Sequence, residues 1–235
     1  MTEFLHGAII FFIYLIPLAI IILSIRKFTK IPDEIFRKIL HFILLGAYIP
    51  LLIGFNTWWI CAIFISCLLV LLLPVLLLAE KIPGFSKFVN ERKKGEFIPS
   101  MVFALSVMIG SISIGWGLFQ DKFLVLASVY SWGIGDAFAA LIGKRFGKHK
   151  ITWKFVDNKK SYEGSIAMLI TSAISVSIIL IIRGGLGPLP IICISIASAI
   201  ASTFVELCSK NGFDTITCPA VAMLVIIPLL MLFGG

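Results

Sequence analysis

"GIGDAFAALIGKRFGKHK", residues 133–150, decides how often this chain crosses a membrane. It begins as an apolar helix, carries Asp136 in its interior, spaces glycines along its length and ends in a burst of cations. Joined to the residues before it, the stretch gives an apolar run of the roughly 20 residues a bilayer requires, but one that holds a charge. Accepting it gives eight candidate spans, at 7–25, 39–55, 57–79, 100–118, 123–142, 162–182, 186–204 and 217–233. The run at 39–55 is short, and the run at 123–142 is the charged one.

Composition and charge placement support that count. The 235 residues are 60% hydrophobic and 14% charged, with a mean hydropathy of +1.09, far from the usage of soluble domains. The expected fold class is all-α, a polytopic transmembrane helix bundle of about eight spans. Lys and Arg in short loops are retained on the cytoplasmic side. With the N-terminus outside, Arg26, Lys27, Lys30, Arg37, Lys38, five cations at 81–94, seven at 144–160 and Lys210 lie inside, leaving Lys122 and Arg183 outside. That distribution requires an even number of crossings, so the C-terminus is also expected outside. The formal charge of +8 is therefore one-sided, and no nucleic-acid partner is implied.

One integral membrane domain over 1–235 is expected, with inner loops at 80–100 and 143–161. The first run lacks a basic leader and a small-residue cleavage site, so it is read as a retained helix. Cys61, Cys67, Cys193, Cys208 and Cys218 show no C-x-x-C spacing and are expected to be packing residues. In "KIPDEIFRKILHF" (30–42), Pro32 near a helix start with Asp33 and Glu34 in the first turn suits the helix dipole. The segment is expected to lie along the interface before turning inward.

A carboxylate at membrane depth is costly, on the order of 3 kcal/mol, so it usually faces a polar cavity and a partner. Asp136, Ala140, Gly143 and Gly147 step by four, three and four along one helical stripe. Small residues alone would let helices approach closely. Beside a carboxylate they leave room for a ligand. Downstream, Ser161 is placed to N-cap the sixth span with Glu163 in its first turn. Lys159 and Lys160 at the same helix start offer cations to phosphate oxygens. There is no Walker motif, because "GKR" lacks the following Ser or Thr.

Two further groups stand elsewhere. Arg37 and His41 are four apart on one face at the inner end of the second span, with Lys38 between them expected to snorkel toward headgroups. His41, a turn deeper, can carry a proton or meet a phosphate. Glu206 ends the seventh span and Asp214 starts the eighth, where Asp214 could alternatively be an N-cap before Thr215. Carboxylates without cysteine or histidine clusters suit a hard cation such as Mg2+, and the cations suit a polyphosphate. Phosphoryl or nucleotidyl transfer needs that pairing, since its catalysis is mostly positioning and charge neutralisation. A transporter would instead spread its acids through the membrane depth.

"RKILH" (37–41), "GDAFAALIGKRFGKHK" (135–150) with "NKKSYEGSIAM" (158–168), and "VELCSKNGFDTITCP" (205–219) occur in this order. So arranged, the chain from about residue 35 onward resembles the CTP-dependent lipid kinases, the family of dolichol kinase, phytol kinase and CTP-dependent diacylglycerol kinase. Phosphatidate cytidylyltransferases share the middle block, but their longer Gly-His-rich ending is absent. Thr215 stands where the kinases usually carry Asn. The resemblance implies transfer of the CTP γ-phosphate to a membrane lipid alcohol, a polyprenol, geranylgeraniol or phytol, with a diacylglycerol kinase or a cytidylyltransferase as alternatives. It implies Gly135, Asp136, Gly143, Lys144, Arg145, Gly147 and Lys150 at the nucleotide, and Lys160, Ser161, Glu163 and Gly164 in a second block. Arg37 joins the phosphate-holding cations. Asp136, Asp214, Glu206 and Glu163 are the implied Mg2+ ligands, and His41 or one of the acids the base. The implied setting is the cytoplasmic face of a cell membrane or endoplasmic reticulum. The sequence carries no signal of oligomeric state.

Overall fold

The computed structural model describes residues 1–29, 31–82, 84–85, 95–153, 156, 160–209 and 212–234. Lys30, Lys159, Lys210 and most cations of the 80–100 loop, all used in reading the charge pattern, lie outside the described residues. Among the described residues there is no strand beyond one isolated bridge, and eight helical segments are long and apolar enough to cross a membrane. This is the all-helical, eight-span architecture expected. The chain divides into two compact units, Met1–Ser113 and Ile114–Gly235.

The first unit holds α1 (Thr2–Phe28), α2 (Asp33–Gly46), α3 (Tyr48–Gly54), α4 (Trp58–Ala79) and α5 (Phe97–Ser111). α2 starts after Pro32 with Asp33 and Glu34 in its first turn, and α2 and α3 together make one 22-residue span. The segment expected at the interface is thus continuous with its span. Lys38 does not snorkel outward. It is 8% exposed, because it lies two turns before Leu45 on the packed face of α2. Glu3 of α1 accepts from the backbone N–H groups of Asn56 and Thr57 and from the Thr57 hydroxyl, which closes the start of α4. The Tyr14 hydroxyl donates to the Ile43 carbonyl and ties α1 to α2.

A π-helical segment, Ile112–Leu118, follows α5 in the chain, and the second unit starts within it at Ile114. It continues through α6 (Lys122–Phe146), α7 (Tyr162–Arg183), α8 (Pro188–Cys208) and α9 (Asp214–Leu232). Val176, Leu180, Ile194, Ala222 and Ile226 form its core. Lipid tails are as apolar as leucine, so burial alone does not drive such helices together, and close packing and interhelical hydrogen bonds must contribute. Both are present where α6 meets α7 and α8. The Ser172 hydroxyl donates to the Ser131 carbonyl, and the Ser131 and Ser202 hydroxyls lie 3.1 Å apart. A Cβ on Gly135 would strike the Ser172 hydroxyl and stand 2.9 Å from Met168, and one on Gly164 would stand 2.9 Å from the Ala139 carbonyl.

The cysteines do not all pack inside. Cys61 and Cys218 are buried, whereas Cys67, Cys193 and Cys208 are exposed. In helices apolar enough to face lipid, the outer surface accepts a thiol as readily as the interior does.

Candidate functional site

Three helix ends gather along α6 between Trp132 and its C-terminal end: the N-terminal end of α7 against Gly143, the N-terminal end of α9 against Trp132, and the C-terminal end of α8 joined to them through Lys160. α6 runs to Phe146, a turn beyond the expected span, with Gly147 as its C-cap. Ser161 caps α7 as expected, its hydroxyl accepting from the Gly164 N–H at 3.3 Å. Asp214 is not an N-cap. α9 begins at Asp214 itself after Phe213, and the Asp214 carboxylate accepts from the Trp132 indole N–H at 3.3 Å. Trp132 precedes Asp136 by one turn, so both face the start of α9 from the same side of α6.

Glu206, two residues before the end of α8, pairs with Lys160 at 2.9 Å; the two side chains are 13% and 19% exposed. The Lys160 ammonium also donates to the backbone carbonyls of Glu206 and Ser209. Those carbonyls lie at the C-terminus of α8, where a cation is favoured. Glu206 and Asp214 each interact electrostatically with Lys160 and with Asp136. Among the described residues, three carboxylates from α6, α8 and α9 therefore lie within electrostatic reach of one another, with the Lys160 ammonium beside Glu206 and Asp214.

Other sequence-predicted residues have different surroundings. Glu163 reaches the backbone N–H groups of Lys148 and His149 and the His149 ring. The missing Cβ atoms of Gly135, Gly143 and Gly164 let α6 and α7 approach, Gly143 facing the Ser161 hydroxyl at 3.2 Å, while Gly147, the C-cap of α6, turns back onto the Gly143 carbonyl of the same helix and lies against Ser161. Lys144, Arg145 and Lys150 are exposed at and beyond the end of α6. Arg37, paired with Glu34 at 3.3 Å, and His41 belong to α2 in the first unit. Trp132 was not singled out in the sequence. Its spacing four residues before Asp136 is the signal that points to it.

Among the described residues no group of three or more His, Cys, Asp or Glu side chains is arranged to hold a metal ion by itself. The donor chemistry still fits Mg2+, which binds through one or two carboxylates with waters and substrate phosphates completing its shell, and does not require an all-protein cage.

The fold and these side chains define a class: a multi-pass helical protein whose acidic and basic chemistry gathers at one end of a four-helix unit. Within that class the chain is similar to a phytol kinase of Synechocystis sp., 27% identical over 83% of this chain and 79% of that protein. It is also similar to a probable chloroplastic phytol kinase of Zea mays, 26% identical over 58% of this chain and 45% of that protein. These likenesses are consistent with the CTP-dependent lipid kinase family. No protein-family model matches the chain, and neither does any solved structure.

Proposed function

We propose that this protein is a lipid kinase that transfers the γ-phosphate of CTP to the hydroxyl of a polyprenol-type membrane alcohol of the phytol class. The observation that carries the reading is the meeting of Lys160 with Glu206 beside Asp136 and Asp214. The named phytol kinases among the relatives direct the choice of acceptor.

In the proposed reaction the bond between the γ-phosphorus and the bridging oxygen breaks, the lipid oxygen bonds to phosphorus, and CDP leaves. Lys160 offsets phosphate charge from a position fixed by the end of α8. Asp136 and Asp214, with Glu206 beside them, would hold Mg2+, which when bound neutralises phosphate oxygens. The hydroxyl proton passes to a carboxylate of the same cluster. Trp132 orients Asp214 through its indole N–H. Lys144, Arg145 and Lys150 add positive charge near the nucleotide, and the site lies at the cytoplasmic face that the charge asymmetry designates.

The test uses the purified full chain in detergent with γ-labelled CTP, Mg2+, and phytol, geranylgeraniol, a long polyprenol and diacylglycerol as separate acceptors. Label is expected on a prenol-type alcohol, and mass spectrometry should show the gain of one phosphate. Gain of a CMP unit would instead identify a cytidylyltransferase, and label on none of the four would overturn the kinase reading.

A further inference from the structure

Glu163 stands in the first turn of α7, where a carboxylate is ordinarily accounted for by its own helix start. Here it also reaches across the loop that precedes the helix. Its Oε1 accepts from the backbone N–H of Lys148 at 3.1 Å and of His149 at 3.2 Å, and it lies 2.7 Å from His149 Nδ1. The His149 side chain is 78% exposed, so its ring buries little surface, and what it gives this region is the bond to Glu163.

Backbone pairing closes the same junction. The Tyr162 N–H donates to the His149 carbonyl at 3.0 Å, and the Ile151 N–H donates to the Lys160 carbonyl at 3.1 Å. Lys150 and Ser161 face each other as an antiparallel bridge, and Ile151 is buried beneath at 2% exposure. Lys160 thus leaves a backbone pinned at its own carbonyl and at Ser161 and Tyr162 after it, and its flexible stem ends between the Glu206 carboxylate and two carbonyls at the end of α8. A lysine on a mobile loop would have to be ordered each time phosphate bound.

We infer that His149 and Glu163 form a clasp that positions Lys160, making both of them positioning residues and removing Glu163 from the metal ligands. The inference rests on the kinase reading for the role of Lys160, while the clasp itself can be measured without activity.

The experiment compares Glu163→Ala, His149→Ala and His149→Asn, the last of which keeps a side-chain N–H donor near the place of Nδ1. Two quantities are read on the detergent-purified chain: the rate at which acetic anhydride modifies the Lys160 amine, followed by mass spectrometry, and the KM and kcat for CTP. Modification of Lys122, which starts α6 at the far end, serves as the control for intact folding. Both alanine variants are expected to raise the Lys160 modification rate and the KM for CTP about tenfold, with kcat within about twofold of the parent. His149→Asn should return both to within about threefold.

An unchanged Lys160 modification rate in Glu163→Ala overturns the clasp. A fall in kcat with KM and modification unchanged also overturns it, by placing Glu163 on the reacting groups. If the parent protein shows no kinase activity, the function reading fails alone, and the modification rates still decide the clasp.

Discussion

The two ends of the second unit handle charge in opposite ways. At one end, Asp121 accepts from the backbone N–H groups of Phe123 and Leu124, which start α6, and its other oxygen takes Arg183 Nε at 2.6 Å from the end of α7. One carboxylate there meets one guanidinium and one helix start, a matched set that joins two helices. At the other end, about 22 Å along α6 by helical rise, Asp136, Glu206 and Asp214 stand around Lys160. Among the described residues these three carboxylates lie within electrostatic reach of one another, and Lys160 is ion-paired to Glu206, so the acids are gathered and not matched one to one with cations. The contrast separates charges that staple helices together from charges arranged to receive a ligand.

The largest expected effect breaks the comparison at its centre. Asp136→Asn keeps size and one acceptor oxygen but removes the charge, and turnover should fall about 10³-fold with elution volume and Tm unchanged. Near-normal activity would mean that the acidic end is another staple. Lys160→Met should lower kcat/KM for CTP about 10²-fold, because it removes a phosphate partner and leaves Glu206 facing the α8 carbonyls without its ammonium. Lys160→Arg should recover part of the loss, and full activity in Lys160→Met would detach the Lys160–Glu206 pair from the chemistry.

A packing change tests whether the acidic end depends on helix spacing. A Cβ at Gly164 would sit 2.9 Å from the Ala139 carbonyl and 3.3 Å from the Gly143 Cα, both backbone atoms that do not yield as a side chain can. Gly164→Ala should cost roughly 1–3 kcal/mol of stability, read as a lower Tm. It should also reduce activity, since pushing α7 from α6 disturbs Lys160 relative to Asp136. A stable, fully active variant would show that the spacing is not required.

Much of the fold was legible because hydropathy sets helices in a membrane directly: a run of sufficient length either spans or does not, and charge asymmetry fixes the parity. Partner identity was less legible. Glu206 and Asp214 fall at helix ends on one side, which the sequence displays; that Asp136, inside α6, lies within electrostatic reach of both depends on how far α6 extends past the start of α9. That Asp214 meets Trp132 and not the start of its own helix depends on how α6 and α9 rotate against each other, which no local pattern encodes. The glycines of α6 read as packing or as ligand space, and their close approach to α7 is a property of the helix pair that no local pattern encodes. The family resemblance implies Glu163 among the metal ligands; its partners Lys148 and His149 lie 15 and 14 residues upstream, across a loop whose path the sequence does not reveal.

The smallest expected effect on activity lies at the matched end. Arg183→Gln removes the guanidinium from a pair whose side chains are 19% and 14% exposed, so the loss should be about 1–2 kcal/mol, enough to lower Tm by a few degrees. Asp121 would keep its two backbone donors, so α6 should still start at the same residue. Turnover per folded molecule should stay within about twofold of the parent, because nothing on that end approaches the carboxylates near Lys160. Asp121→Asn isolates the ionic part further, since the amide oxygen can still cap α6 while the charge opposite Arg183 is gone. If either substitution cut turnover in proportion to the Asp136 or Lys160 variants, at unchanged folded fraction, then α6 would be transmitting strain along its length. The matched end would then be part of the site and not a staple.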